Sequence, residues 1–160
     1  MDSLQNDDEY AGRADGSDMV HDTVPYDSPL LGAPLARGAI LIAENEANNR
    51  LLMEQILRMH GYQCLTASNG LEVLDLLNHH RVDCVLIDLS MPVLDGYRTT
   101  ELIRQRPDCA DLPVVAVTAH AMSEDRDLAL NSGCTDYLAK PFRQQELLRI
   151  VERMLQREHA

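Results

Sequence analysis

Residues 84–96 read Cys-Val-Leu-Ile-Asp-Leu-Ser-Met-Pro-Val-Leu-Asp-Gly, and this stretch decides the fold. Its first four residues are apolar without a polar residue between them. That pattern is typical of a short strand covered on both faces of a parallel sheet. The strand ends at Asp88, a loop follows, and Asp95 is well suited to start a helix. The stretch therefore predicts a strand–loop–helix unit with a carboxylate at the carboxyl end of the strand.

The same unit recurs along most of the chain. Short apolar segments predict five strands, at residues 39–43, 62–67, 84–87, 114–117 and 137–139, and all but the second are continuous apolar runs. Amphipathic patterns predict a helix after each strand, at about residues 47–60, from 71 onward, and at about 96–105, 123–132 and 143–157. Five alternating units predict an α/β fold: a doubly wound five-stranded parallel sheet, (βα)5, with the flavodoxin-like strand order 2-1-3-4-5.

Several helix details follow from the same patterns. We expect apolar stripes made of Leu52, Ile56 and Met59 in the first helix and of Leu71, Leu74 and Leu77 in the second. Ser123 has the side chain of a helix N-cap, with acidic residues in the turn that follows. Gly61 and Gly133 are each placed to end a helix, as glycine does at the position after a C-cap.

The first 37 residues differ from the rest in composition. They carry eight acidic residues and two arginines, a net charge of −6, and show no sustained helical or strand period. Such a composition cannot bury enough apolar surface to fold by itself. We therefore expect residues 1–37 to form a disordered acidic tail and residues 38–160 to form the folded domain.

The composition of the 160-residue chain excludes several classes of protein. The net charge of −12 opposes direct binding to nucleic acid. No apolar run reaches the roughly 18–20 residues needed to cross a membrane, and no secretory signal is visible. The four cysteines, Cys64, Cys84, Cys109 and Cys134, show no metal-binding spacing. We therefore expect reduced thiols in a cytoplasmic protein without membrane contact.

Polar residues follow four of the five predicted strands. They are Glu44-Asn45, Asp88, Thr118 and Lys140, and Lys140 is the only lysine beside 13 arginines. Each of these residues alone also fits an ordinary loop without a special function. The carboxyl ends of central parallel strands, however, meet at one crevice. Carboxylates held together there repel each other unless a cation joins them. The set suits Mg²⁺ and phosphoryl chemistry, in which a carboxylate attacks and cations hold the phosphoryl oxygens.

Residues 38–158 resemble the receiver domain of response regulators, the phospho-accepting module of two-component signalling. The motifs that carry the resemblance are Ile40–Asn45, Val85–Gly96, Ala116–Ala119 and Tyr137–Phe142. They occur in the family's order, without a large insertion. The resemblance implies that Asp88 accepts a phosphoryl group from a histidine kinase or a histidine phosphotransfer protein. It also gives the lone lysine, Lys140, a role in pairing with that group.

The resemblance further implies a metal site and a switch. Mg²⁺ would be held by Glu44, Asn45, Asp88 and the main-chain carbonyl of Ser90. The family usually has a second acid where this chain has Asn45, so we expect weaker Mg²⁺ binding, by roughly tenfold or more, unless Glu46 compensates.

The switch residues implied by the resemblance are Thr118 and Tyr137. Thr118 would hydrogen-bond the phosphoryl group, and the ring of Tyr137 would turn inward as Thr118 moves. Ala119 is small and would leave the acyl phosphate accessible. The bond between Lys140 and Pro141 would be cis, which proline permits.

Three functions compete at this stage. The first is a phosphorylated switch, which catalyses at most its own phosphorylation and dephosphorylation. Because the chain ends soon after the last helix, we expect the output of this switch to be contact with a downstream protein or onward phosphotransfer. The second is a receiver-like adaptor that works without phosphorylation, which Asn45 favours. The third is a metal-dependent phosphatase with an aspartyl nucleophile, which Ser90 opposes because such enzymes typically carry an acid at that position.

Overall fold

The computed structural model describes residues 37–119 and 122–159. Its strands are β1 Ala39–Ala43, β2 Gln63–Ala67, β3 Cys84–Ile87, β4 Val114–Thr118 and β5 Asp136–Ala139. Its α-helices are α1 Ala47–Met59, α2 Gly70–His79, α3 Gly96–Arg104, α4 Ser123–Asn131 and α5 Gln144–His159, with a 3-10 turn at Pro107–Cys109. None of these helices is long and apolar enough to cross a membrane. The prediction of a disordered tail lies outside the described residues, except for Arg37.

The five strands form one parallel sheet in the order β2-β1-β3-β4-β5, which confirms the predicted topology. The register explains why polar residues converge at one edge. Ala43 pairs with Ile87, so that Glu44 and Asp88 leave adjacent strands at the same level. Thr118 pairs with Ala139, which brings Lys140 to the end of β4. The main-chain N–H of Lys140 donates to the carbonyl of Thr118 at 2.9 Å.

Two apolar cores lie on opposite faces of the sheet. One packs α1 and α5 against residues such as Ile42, Leu86 and Val117. The other packs α2, α3 and α4 against residues such as Ala43 and Ile87. Both β3 and β4 are buried along their whole length because helices cover both faces. This burial explains why their sequences are continuous apolar runs rather than alternating ones.

All four cysteines are free and buried, in agreement with the prediction of reduced core thiols. Cys64 and Cys84 both pair with Ile40, one on each side of β1. Two strand spacings, about 9–10 Å, therefore separate them, which is too far for a disulfide. Burial raises the pKa of Cys64 to about 11, so this thiol stays protonated at neutral pH.

The predicted helix faces were partly wrong. In α1 the buried residues are Met53, Ile56 and Leu57, whereas Leu52 is 51% exposed and Met59 is 80% exposed. In α2 the buried residues are Gly70, Val73 and Leu77, with Leu74 half-buried and Leu71 55% exposed. Both helices carry large apolar residues on more than one face. Hydrophobicity alone therefore cannot show which stripe the sheet covers.

Element ends were predicted to within about two residues. Ser123 was predicted as an N-cap, but Met122 occupies the cap position without a capping side chain and Ser123 is the first helical residue. The two glycine predictions are confirmed, because Gly61 and Gly133 have φ of 93° and 113° just after their helices. These values lie in the left-handed region that favours glycine.

The loop between β3 and α3 is tightly packed onto the end of β3. The side chain of Asp95 caps α3 by accepting from the N–H of Arg98 at 2.8 Å. The N–H of Gly96 donates to the carbonyl of Leu89 at 3.1 Å. A Cβ atom on Gly96 would lie 2.5 Å from the main-chain oxygen of Asp88 and 2.7 Å from Cα of Leu89. Only glycine allows this approach of α3 to the strand end.

We expect Gly96→Ala to lower the free energy of unfolding by about 1–3 kcal/mol, because the clashing atoms belong to the backbone and cannot rotate away. Urea unfolding followed by circular dichroism measures the change. The control is Glu101→Ala on the exposed face of the same helix, for which we expect a change within about 0.5 kcal/mol. Equal effects of the two variants would contradict the close-packing argument.

Candidate functional site

Three polar side chains at the carboxyl edge of the sheet are almost fully buried. Glu44 follows β1 and is 1% exposed, Asp88 follows β3 and is 7% exposed, and Thr118 ends β4 with no exposure. Buried carboxylates are rare unless a partner compensates their charge. This edge therefore has to be explained by its local contacts.

Lys140 supplies the compensating charge. Its ammonium group donates to Oε1 of Glu44 at 2.5 Å and to Oδ2 of Asp88 at 3.2 Å. Side chains along a strand point alternately to the two faces of the sheet. By this alternation, Glu44, Asp88 and Lys140 lie on the same face as Leu86. The three side chains therefore point the same way, and one cation lies between two carboxylates.

Main-chain N–H groups orient the remaining carboxylate oxygens. The N–H of Glu46 donates to Oε2 of Glu44 at 3.0 Å. The N–H of Ser90 donates to Oδ1 of Asp88 at 2.9 Å. Each carboxylate thus has one oxygen held by its own loop and the other directed at Lys140. These contacts fix the orientation of both carboxylates.

The pKa values of Glu44 and Lys140 are both shifted from their usual values. Burial raises the pKa of Glu44 above its usual range, and the hydrogen bond from Lys140 offsets only part of that effect. Burial alone lowers the pKa of Lys140, but the hydrogen bond to Glu44 and the charge of Asp88 outweigh it, so that the pKa is raised overall. Lys140 is therefore a permanent cation at neutral pH and does not serve as a base.

The donors at this edge fit a hard divalent cation. Carboxylate and amide oxygens suit Mg²⁺, which keeps several waters and needs only one or two protein carboxylates. Glu44 and Asp88 already share one cation, which shows that positive charge is stable between them. Asn45 is exposed beside them. In the described residues no group of three or more His, Cys, Asp or Glu could hold a metal ion.

Arg50 is a site residue that sequence reasoning missed. From the first turns of α1, its guanidinium donates to the main-chain carbonyl of Glu44 at 2.7 Å and to that of Asn45 at 3.4 Å. It thereby holds the loop between β1 and α1. The only available signal was an arginine six residues after the acid, and that spacing alone does not distinguish it from a surface charge.

The predicted switch residues lie on one face of the sheet. Tyr137 pairs with Ala116 in the sheet register, and Thr118 follows Ala116 by two residues. Side chains two residues apart along a strand share a face. Tyr137 is half-buried against the core on that face. Ala119 is exposed, and the Lys140–Pro141 bond is cis, as predicted.

A cleft next to these residues was not predicted from the sequence. We call it the side cleft; it has a volume of about 360 Å³. Its lining residues are Asn49, Leu52, Met53, Ala119, Lys140, Pro141 and Phe142. It therefore lies between α1 and the segment after β5, with Lys140 contributing both to the cleft and to the carboxylate pair. The exposed Leu52 of α1 belongs to this cleft.

Comparison with known families gives one match that covers most of the folded part. Residues 40–152 match the family described as the response regulator receiver domain. Among curated relatives, the sensor histidine kinase RcsC of Salmonella typhimurium is 43% identical over 102 residues, which are 64% of this chain and 10% of that protein. The polar-differentiation response regulator DivK of Brucella anthropi is 33% identical over 107 residues, 67% of this chain and 86% of DivK.

The chain thus spans a tenth of RcsC, and it spans 57% of the probable transcriptional regulator ycf29 of Porphyra purpurea, which is 33% identical over 119 residues.

Solved structures give the same result. The receiver domain of the sensor histidine kinase PA1611 from Pseudomonas aeruginosa, which has a magnesium ion in its active site cleft, matches with a TM-score of 0.71 and 38% identity. That match covers 75% of this chain and 98% of the other. The chemotaxis response regulator CheY4 of Vibrio cholerae matches with a TM-score of 0.71 and 26% identity, covering 76% of this chain and 100% of CheY4.

We expect Lys140→Met to lower the free energy of unfolding at pH 7 by on the order of 2 kcal/mol, because two buried carboxylates lose their shared cation. Lys140 lowers the pKa of Glu44, so its loss raises that pKa further and the folded variant takes up a proton at higher pH than folded wild type. The loss in free energy of unfolding caused by Lys140→Met should therefore become smaller as the pH falls toward 5. Urea unfolding at both pH values measures it.

The control for this experiment is Arg153→Met. Arg153 pairs with Asp136 at 2.7 Å, but its side chain is 56% exposed, so the pair contributes at most about 1 kcal/mol. A deficit of Lys140→Met that is the same at pH 7 and pH 5 would show that lost packing, and not charge, causes it.

Proposed function

The chain belongs to the response regulator receiver domain family, and from this premise we propose that Asp88 accepts a phosphoryl group from a histidine kinase or a histidine phosphotransfer protein. Receiver domains are signalling modules of two-component systems. One observation carries the proposal: Asp88 closes a central strand with one oxygen held by the N–H of Ser90 and the other facing the ammonium of Lys140.

The transfer follows from these contacts. An oxygen of Asp88 attacks the phosphorus, the P–N bond of a phosphohistidine breaks, and its electron pair returns to the imidazole ring. Lys140 neutralises charge on the phosphoryl oxygens, and the buried hydroxyl of Thr118 is assigned to hydrogen-bond one of them. Because the carboxylates hold Lys140 in place before the reaction, little reorganisation is needed as the charge moves.

We assign Mg²⁺ binding to Glu44, Asn45, Asp88 and the main-chain carbonyl of Ser90. When bound, the ion supplies positive charge to the phosphoryl oxygens. The magnesium ion in the PA1611 receiver domain supports this assignment by similarity. The chain's own contribution is an oriented Glu44, held by Lys140 and by the N–H of Glu46. Asn45 offers an uncharged oxygen, so this chain provides one negative charge fewer than the usual set of acids.

Phosphorylation is proposed to change a protein-contact surface. Thr118 and Tyr137 lie on one face of the sheet, and α4 on that side carries large exposed residues, among them Leu128 and Leu130. A movement of Thr118 toward the phosphoryl group leaves space for the ring of Tyr137. We propose that a downstream protein recognises the resulting surface. The free, buried cysteines agree with a reducing compartment, and we propose the cytoplasm.

We expect wild-type protein treated with acetyl phosphate and MgCl₂ to gain the mass of one phosphoryl group, and Asp88→Asn to gain none, because the amide cannot form the acyl phosphate. Intact-mass spectrometry measures both. Asp95→Asn, which changes the acid that caps α3, is the matched control and should gain mass like wild type. A similar gain in Asp88→Asn and wild type would show that another residue accepts the group.

We expect Asn45→Asp to tighten Mg²⁺ binding by about tenfold or more, because a third carboxylate joins the site. Without metal the added charge crowds Glu44 and Asp88, so the variant should melt at a lower temperature in chelator and gain more than wild type from added Mg²⁺. Thermal unfolding during a Mg²⁺ titration measures both effects.

The two contrary outcomes of this titration have different meanings. A strong Mg²⁺ response of wild type that Asn45→Asp does not increase would assign the missing ligand to another group, such as Glu46. A lack of response in both proteins would remove the metal site and favour the adaptor that works without phosphorylation.

A further inference from the structure

The loop between β1 and α1 is held by a single residue of the helix that follows it. The loop consists of Glu44, Asn45 and Glu46, the three residues that separate the two elements. The guanidinium of Arg50 donates to the main-chain carbonyl of Glu44 at 2.7 Å and, in a longer contact, to that of Asn45 at 3.4 Å. The main-chain N–H of Arg50 donates to the carbonyl of Glu46 at 2.9 Å. Arg50 therefore binds all three main-chain carbonyls of the loop.

The start of α1 lacks the capping side chain that α2 and α3 have. Asn69 caps α2 and Asp95 caps α3, each by accepting from a main-chain N–H of its helix. Glu46 occupies the cap position of α1, but its side chain makes no capping hydrogen bond. Within residues 37–119 and 122–159, the contact with Arg50 is the only hydrogen bond that Asn45 makes. The orientation of Asn45 therefore depends on Arg50.

We propose that Arg50 is a positioning residue for Mg²⁺: it holds the loop so that the oxygens of Glu44 and Asn45 are oriented before the ion binds. The inference rests on the proposed function, in which these two residues supply the ligands from this loop. Orientation matters more in this chain than in one with two acids, because the amide of Asn45 adds no charge to attract the ion. Arg50 itself touches neither the ion nor the phosphoryl group in this role.

Arg50 has two effects on a cation at this site, and they have opposite signs. Its positive charge repels Mg²⁺, which weakens binding. Its hydrogen bonds order the loop in advance, which strengthens binding, because fixing the backbone of one residue corresponds to about a tenfold change in a binding constant. Arg50 is only half-buried, so water and salt screen the repulsion. We therefore expect the ordering of the loop to outweigh the repulsion.

The test is Arg50→Met in the full chain, which keeps a long unbranched side chain and removes its hydrogen-bond donors. Thermal unfolding during a titration with MgCl₂ gives the dissociation constant of the ion. We expect Arg50→Met to bind Mg²⁺ about tenfold more weakly than wild type. Removing a positive charge would by itself tighten the binding of a cation, so weaker binding cannot result from the change in charge. A general loss of stability lowers the melting temperature without metal and leaves the dissociation constant unchanged.

A second arginine of α1 provides the matched control. The guanidinium of Arg58 donates to the main-chain carbonyl of Cys64 at 2.9 Å, so it also joins α1 to another segment. Eight residues separate it from Arg50, which is about 12 Å along the helix. Arg58→Met should lower the melting temperature without metal, while its dissociation constant for Mg²⁺ stays within about twofold of wild type.

Arg50→Lys separates the hydrogen bonds from the charge. It keeps a positive charge, which opposes Mg²⁺ binding, and a donor at the end of a long side chain. We expect it to bind Mg²⁺ at least threefold more tightly than Arg50→Met. An affinity no better than that of Arg50→Met would assign the effect to packing of the side chain and overturn the hydrogen-bond argument.

The rate at which acetyl phosphate labels Asp88 gives a second measurement. At low MgCl₂, Arg50→Met should label several times more slowly than wild type, as followed by intact-mass spectrometry. The difference should narrow as MgCl₂ is raised, because Arg50 acts on binding of the ion and not on the transfer itself. A deficit that stays constant at all Mg²⁺ concentrations would contradict the positioning role.

The remaining outcomes separate this inference from the proposed function. Equal or tighter Mg²⁺ binding by Arg50→Met would overturn the role of Arg50 and leave the assignment of Mg²⁺ intact. Equal weakening by Arg58→Met would trace the effect to the stability of α1 and would also overturn that role. A lack of any Mg²⁺ response in wild type would overturn the metal site of the proposed function, and the inference with it.

Discussion

The sharing of one ammonium between two buried carboxylates is the interaction on which the site depends. Glu44 and Asp88 leave adjacent strands at the same level and would repel each other at neutral pH. From the end of β5, Lys140 reaches Asp88 across β4 and Glu44 across β4 and β3. A compact ammonium with three donors suits this position, whereas a planar guanidinium needs more space. This accounts for the single lysine in a chain with 13 arginines.

The fold could be predicted from the sequence because burial on both faces leaves a simple pattern. Strands such as β3 and β4 read as unbroken apolar runs, and the polar residues after them mark the functional edge. Contacts made by the main chain could not be predicted in this way. The bond from Arg50 to the carbonyl of Glu44 and the close approach of Gly96 to Asp88 leave no periodic signal.

The errors in the predicted helix faces have a physical reason that bears on function. Leu52 was assigned to the core because it continues an apolar stripe, but α1 presents Met53 and Leu57 to the sheet instead. Pattern analysis assumes that every large apolar residue serves folding. Leu52 lines the side cleft and is not part of the core, yet its position still fits the helical spacing of the apolar residues. The helix carries two apolar surfaces, one for the core and one that lines the side cleft.

The sheet separates two groups of side chains that lie close to the site. The side cleft belongs to the face covered by α1 and α5, whereas Tyr137 packs on the face covered by α2, α3 and α4. Asp88 and Lys140, at the ends of β3 and β5, continue the first of these faces. Substitutions in the side cleft therefore need not disturb the packing of Tyr137 on the opposite face. After gene duplication, copies of such a domain could acquire a new input while keeping the old output, or the reverse.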